Sequence, residues 1–332
     1  MIRVVRVVRG ACYPWPVLSV ARVVRGACCP WPALSVPVLS VAYDVVAMRT
    51  AIAIALLVAL VTPQPALETE LRSIIASSGA EVAVAFKTLD GRSQVFIDPD
   101  KPFHAASTMK VPVMIELFAQ AKAGSLSLDD SLTIRNEFRS IVDGSPYSLS
   151  EGDDSDKVVY AAIGKTMTLR QLCEAMITVS SNFAANLLID KLGATRIAAT
   201  TKKLGADGMV VLRGVEDQKA FEKGLNNATT ARALLIVFEK LARHEAVDAK
   251  SDAAMIEILK RQEFNDAIPA GLPLGTAVAH KTGNITKIHH DAAIVFGPRP
   301  YVIVLLVRGI QDQKQSGALM AKLSRVIYRS VQ

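Results

Sequence analysis

Apolar positions in the last four fifths of the chain follow two spacings, and the spacing changes in blocks. Over residues 67–79, Leu67, Leu71, Ile74 and Ile75 fall on one stripe of a helix. Val82, Val84 and Phe86 then alternate before Asp90-Gly91, and Val95 and Ile97 follow, a pattern that predicts strand, hairpin turn and strand. Helical spacing dominates from about Ser107 to Arg261, where Leu172, Met176 and Val179 form a stripe, Thr168 is placed as an N-cap and Gly193 as a C-terminal stop. After Pro269 the period returns to that of strands over 276–281, 291–296 and the wholly apolar 301–307. A final amphipathic helix over about 316–329 carries Leu319, Leu323 and Ile327. This order predicts an α+β fold: an antiparallel sheet of about five strands flanked by helices, with an inserted all-helical lobe over about 104–261. A cleft between the lobes is the expected small-molecule site.

The front of the chain reads differently. Arg6–Val20 (RVVRGACYPWPVLSV) is repeated almost unchanged as Arg22–Val36 (RVVRGACCPWPALSV), a repeat too short to bury a core. At Met48 a single arginine precedes an unbroken apolar run from Ala51 to Val61, then proline and small residues, the anatomy of a secretory signal peptide. We expect translation to begin at Met48, residues 1–47 to be a tandem-repeat leader, 48–66 to be removed on export, and 67–332 to be the working domain.

Composition changes this picture in one respect. The 332 residues carry a net charge of +7, which alone would raise the question of nucleic acid or an anionic membrane. Residues 1–66 hold six arginines against Asp44, so +5 of that charge lies in the leader and only +2 in the rest. Nucleic acid and a stable membrane anchor are therefore not expected. Three of the four cysteines also lie in the leader. Cys173 alone supports no disulfide framework, and its apolar helical setting makes it a small core residue. With five histidines in the whole chain, His289-His290-Asp291 makes no credible zinc set. Asp291 is expected to start a strand, with one of the two histidines facing the cleft.

Three short motifs remain. Ser107-Thr-Met-Lys110 opens a predicted helix and puts a hydroxyl and an amine one turn apart, so a lysine of lowered pKa could take the serine's proton. Ser180-Ser181-Asn182 interrupts a core-forming helical pattern, as a helix end and cap would, or as a proton-relaying hydroxyl and a substrate-holding amide would. Lys281-Thr282-Gly283 closes a predicted strand, where a cation and a residue without a side chain suit a carboxylate ligand. Each alone has a plain structural explanation; their joint occurrence in this order does not.

The set resembles the signature of class A β-lactamases and penicillin-binding proteins, and the similarity to class A β-lactamases extends along nearly all of 67–332. The resemblance implies a monomeric, cofactor-free, metal-free serine hydrolase acting on a β-lactam or a peptidoglycan-like substrate. It implies that Ser107 attacks the lactam carbonyl, Lys110 serves as base or relay, and Ser180 passes the proton to the leaving nitrogen. It further implies that Asn182 holds the acylamide chain, Lys281 and Thr282 bind the carboxylate, and the N–H groups of Ser107 and Asn284 form an oxyanion hole. Glu216 lies 34 residues past Asn182, where the family has its deacylating glutamate, but within Arg-x-x-Glu-Asp rather than Arg-x-Glu-Pro. Two readings of Glu216 stand: activation of the hydrolytic water, or an ion pair with Arg213 that braces a loop. Ala220 stands where the family has the asparagine that helps to hold that water, with Asn226 or Asn227 as candidates to replace it, and Ser181 stands in place of the usual aspartate. An extra loop around 143–157 carries the acidic run Glu151, Asp153, Asp154 and Asp156, expected to be solvated. A D-alanyl-D-alanine carboxypeptidase or esterase, and a penicillin-binding sensor that does not turn over, are the rival functions.

Overall fold

The computed structural model describes residues 64–332, so the leader and most of the expected signal segment lie outside the described residues. Five strands form one antiparallel sheet: β1 (Glu81–Thr88), β2 (Gln94–Ile97), β3 (Val278–Ile285), β4 (Ile288–Val295) and β5 (Tyr301–Arg308), in the order β2-β1-β5-β4-β3. Eight helices of ten residues or more accompany it among the described residues. They are α1 (Gln64–Ser78), α2 (Lys110–Lys122), α3 (Leu169–Thr178), α4 (Asn182–Leu192), α5 (Ala194–Lys203), α6 (Ala231–Ala242), α7 (Ala249–Leu259) and α8 (Gln313–Ser330).

Alternation along the strands divides the core in two. Val82, Val84 and Phe86 of β1, with Ile303, Leu305 and Val307 of β5, face the stripes of α1 and α8, including Leu71, Leu319, Leu323 and Ile327. The alternate residues, Ala83, Ala85, Val302, Val304 and Leu306, belong to the larger core shared with the helices of the insertion. Both faces of β5 are covered, which is why 301–307 reads as an unbroken apolar run. Among the described residues no helix is long and apolar enough to cross a membrane.

Two boundaries differ from the periodic reading, and both matter for the site. Strand β3 does not end at Lys281-Thr282-Gly283 but continues to Ile285, because β4 starts at Ile288 rather than Asp291 and its His289, His290 and Asp291 pair with Asn284, Gly283 and Thr282. The Lys-Thr-Gly triplet thus lies within an edge strand. The insertion is also less separate than expected, since α6 packs on β1, β4 and β5. Thr168 caps α3 in a reciprocal capping box with Gln171, whereas Gly193 ends the following helix, α4.

Candidate active site

The 3-10 turn Ala106–Met109 leads straight into α2 and carries Ser107, half-buried, with Lys110 fully buried as the first residue of α2. Gly283 of β3 lies against this turn. A Cβ on Gly283 would sit 3.0 Å from the Ser107 backbone nitrogen and 3.1 Å from the Ala106 Cβ, so any side chain there would make strand and turn give by a few tenths of an ångström. Gly283→Ala is therefore expected to move the Ser107 turn away from β3 at a cost in stability of about 1–3 kcal/mol. Chemistry that depends on Ser107 should fall about 10²-fold; thermal denaturation and turnover measured side by side check this, and wild-type turnover would show that the approach is not needed.

Lys110 Nζ donates to the Ser180 carbonyl (2.6 Å), Asn182 Oδ1 (2.8 Å) and Ser180 Oγ (3.3 Å). Lys281 Nζ donates to Ser180 Oγ from the other side (3.0 Å) and to the Thr282 carbonyl (2.9 Å). One hydroxyl thus stands between two buried amines. Burial lowers the Lys110 pKa to about 7, against the opposing pull of Asp154 and Glu216. Burial also holds Lys281 well below the ordinary ammonium range, and Lys110 adds to the effect. An amine titrating near neutrality can take and return a proton at working pH.

Glu216 Oε1 accepts from Asn182 Nδ2 (2.9 Å). Arg213, by contrast, donates to the carbonyls of Leu225 (2.8 Å) and Gly214 (2.9 Å) and to Asn226 Oδ1 (3.2 Å). The side-chain partner of Glu216 is thus Asn182 rather than Arg213. Burial raises its pKa, and Asp154 and Asp153 raise it further. Asn227 does not stand in for the missing water-holding asparagine: its amide accepts from Leu212 and Arg213 N–H and donates to the Arg213 carbonyl. Asn186 of α4 holds the loop itself, accepting from Val215 N–H (2.6 Å) and donating to the Val215 carbonyl (3.0 Å).

Three residues with left-handed backbone, Ala106 (φ 45°), Ser180 (φ 60°) and Glu216 (φ 63°), converge here. Each non-glycine residue in this conformation costs about 1–3 kcal/mol and persists where surrounding contacts hold it. Ser107, Ser180, Asn182, Thr282 and Asn284 line one cavity of about 320 Å³, and Ser107, Asn182, Glu216 and Asn284 line an adjoining one of about 570 Å³. The two cavities therefore bring together Ser107, Ser180, Asn182, Glu216, Thr282 and Asn284, whereas Lys110 and Lys281 are fully buried.

Sequence reasoning missed Gln262. Its Oε1 accepts from Thr282 Oγ1 (2.5 Å) and Thr282 N–H (3.0 Å), and its Nε2 donates to the His280 carbonyl (2.6 Å), pinning β3 from the end of α7. No local pattern marks this glutamine, because its partners lie about 20 residues away. Of the adjacent histidines, His289 lines the cleft, as expected of one of the pair, with Nδ1 2.8 Å from Ser316 Oγ. His290 is buried on the other side, 3.0 Å from the His104 carbonyl, and burial lowers its pKa to about 4. Cys173 is buried, which raises its thiol pKa to about 12. The acidic run is not solvated throughout, since Asp154 and Asp156 are buried.

A family model described as the beta-lactamase enzyme family matches residues 66–331. A beta-lactamase of Bacillus licheniformis is 27% identical over 247 residues, covering 70% of this chain and 73% of that protein. The structure of PBP-A is similar at a TM-score of 0.69 and 25% identity, over 80% of this chain and 95% of that one. A mutant of PBP-A, equally similar at 25% identity and a TM-score of 0.70, is an acyl-enzyme complex with penicillin G covering 80% of this chain and 96% of that one. An ancestral class A beta-lactamase shares the fold at a TM-score of 0.69 and 24% identity, over 80% of this chain and 99% of that one.

Proposed function

The chain belongs to the beta-lactamase enzyme family, and from that premise we propose that it is a class A-type serine hydrolase that opens the β-lactam ring and then hydrolyses its own acyl-enzyme. Ser107 Oγ attacks the lactam carbonyl while its proton passes to the neutral amine of Lys110. The backbone N–H groups of Ser107 and Asn284 stabilise the oxyanion, a donor pair of the kind worth about 10²–10³ in rate per donor. As the C–N bond breaks, Ser180 Oγ gives its proton to the departing nitrogen and is resupplied from the lysines that flank it. Asn182 holds the acylamide chain, and Lys281 with Thr282 binds the carboxylate. Glu216 then takes a proton from water, the resulting hydroxide attacks the ester, and the proton held by Glu216 passes to Ser107 Oγ as it leaves, so both side chains return to their starting states.

The observation that carries this reading beyond acylation is the Glu216–Asn182 hydrogen bond, which keeps a carboxylate of raised pKa in the cleft that Ser107 lines. A sensor that stops at the acyl-enzyme needs Ser107, Lys110 and Ser180 but no such base. On the same reading the chain is exported, loses residues 48–66 and works as a monomer on a small β-lactam, without metal or cofactor.

The test is incubation of protein expressed from Met48 and recovered after export with a chromogenic cephalosporin, following colour and intact mass together. Many turnovers per chain and a mass beginning at Leu67 are expected. One equivalent of stable adduct would replace this reading by the sensor or peptidase, and the absence of both turnover and adduct would remove Ser107 as nucleophile.

A further inference from the structure

Residues 150–157 contain an acidic run to which the chemistry above assigns no task, yet two of its carboxylates are buried. Asp154 Oδ2 accepts from the backbone N–H of Phe183 (2.8 Å) and from Ser181 Oγ (3.3 Å), and Oδ1 accepts from Asp156 N–H (3.1 Å). Phe183 is the second residue of α4, so its N–H is one of the donors that a helix start leaves unpaired and where a negative charge is favoured. Ser181 caps the same turn by accepting from Ala184 N–H (3.1 Å). On the other side Ser155 Oγ donates to the Val179 carbonyl, immediately before Ser180. The loop thus grips the chain both before and after Ser180, the residue whose φ of 60° requires outside support.

We propose that Asp154 is a positioning residue for the proton relay: its carboxylate fixes the Ser180–Asn182 turn so that Ser180 Oγ stays between Lys110 and Lys281 and Asn182 Oδ1 stays on Lys110. This rests on the reading of Ser107 as the acylated nucleophile. Asp154 does not touch substrate; it acts through the start of α4. The ionisable groups that feel its charge are Lys110 on α2, Glu216 on the loop held by Asn186, and Tyr160 just beyond the acidic run, with Glu151 and Asp153 beside it in the run. Its charge raises the pKa values of both Lys110 and Glu216. Removing the charge while keeping the shape therefore extends the neutral form of Lys110 and the ionised form of Glu216 to lower pH. Both effects move the acid limb of activity the same way.

The test compares the full chain with Asp154→Asn and Asp154→Ala, measuring acylation by intact mass, turnover from pH 5 to 9, and thermal denaturation. Asp154→Ala is expected to acylate about 10²-fold more slowly, since it leaves the turn ungripped. Asp154→Asn keeps an oxygen for Phe183 N–H, so it should recover most of that rate while its acid limb moves to lower pH, a shift that a merely structural role would not produce. Acylation by Asp154→Ala at the wild-type rate, or an acid limb of Asp154→Asn that stays where it is, overturns the proposal. If Asp154→Ala does not fold, the pH profile of Asp154→Asn decides alone. A wild-type chain that shows neither turnover nor adduct overturns the Ser107 reading and this proposal with it, whereas normal wild-type turnover beside an unaffected Asp154→Ala overturns this proposal only.

Discussion

Ser107→Ala is expected to abolish both β-lactam turnover and adduct formation, lowering kcat/KM by about 10⁴-fold or more, because no other group can take the place of the nucleophile. Ser180, another hydroxyl of the cleft, has its oxygen between Lys110 and Lys281 and belongs to a residue at φ 60°. The Ser107 backbone N–H survives the change, so binding persists. The residual rate is what an oxyanion hole and two buried lysines supply without covalent chemistry. Stability should stay within about 1 kcal/mol, since Ser107 is half-buried in a turn that no side chain caps. Colour release and intact mass are the two readouts. Turnover within tenfold of wild type would move the nucleophile elsewhere.

Glu216→Gln should have the second largest effect and should act on one step. Glutamine keeps an oxygen for Asn182 Nδ2 but cannot take a proton from water, so release of the acyl group is expected to slow by about 10²–10⁴-fold, the usual contribution of a positioned base. Acylation should survive. The Glu216 charge raises the Lys110 pKa, so its loss leaves more of that amine neutral at a given pH, which favours the first step. The variant should therefore accumulate an adduct of one equivalent that the wild type turns over. The pH dependence follows from the same carboxyl: burial raises its pKa, so wild-type release should fall as pH drops towards a limb above the ordinary carboxylate range. A release rate equal to wild type in Glu216→Gln would return this residue to a bracing role.

Much of the fold is legible because burial leaves a period. The alternation of Val82, Val84 and Phe86 and the stripe of Leu319, Leu323 and Ile327 mark two surfaces that meet in one core. The apolar run at 301–307 marks a strand covered on both faces. Lys281 shows where that legibility stops: the triplet reads as a strand end because polarity begins there, while β4 continues to pair past it to Ile285. Polar residues inside an edge strand beside a cleft break the pattern by which strands are found.

The sequence by itself determined which chemical groups the protein owns and which of them are neighbours along the chain, down to Ser107 and Lys110 one turn apart and Ser181 at a helix start. Tertiary structure alone decided what stands opposite each group. It turned Glu216 towards Asn182 and away from Arg213, buried Asp154 against the start of α4, and set Gln262 beneath Thr282. The physical reason is that periodicity reports how much water a position avoids, whereas a polar partner 20 to 70 residues away is chosen by how the elements pack, which no local spacing records.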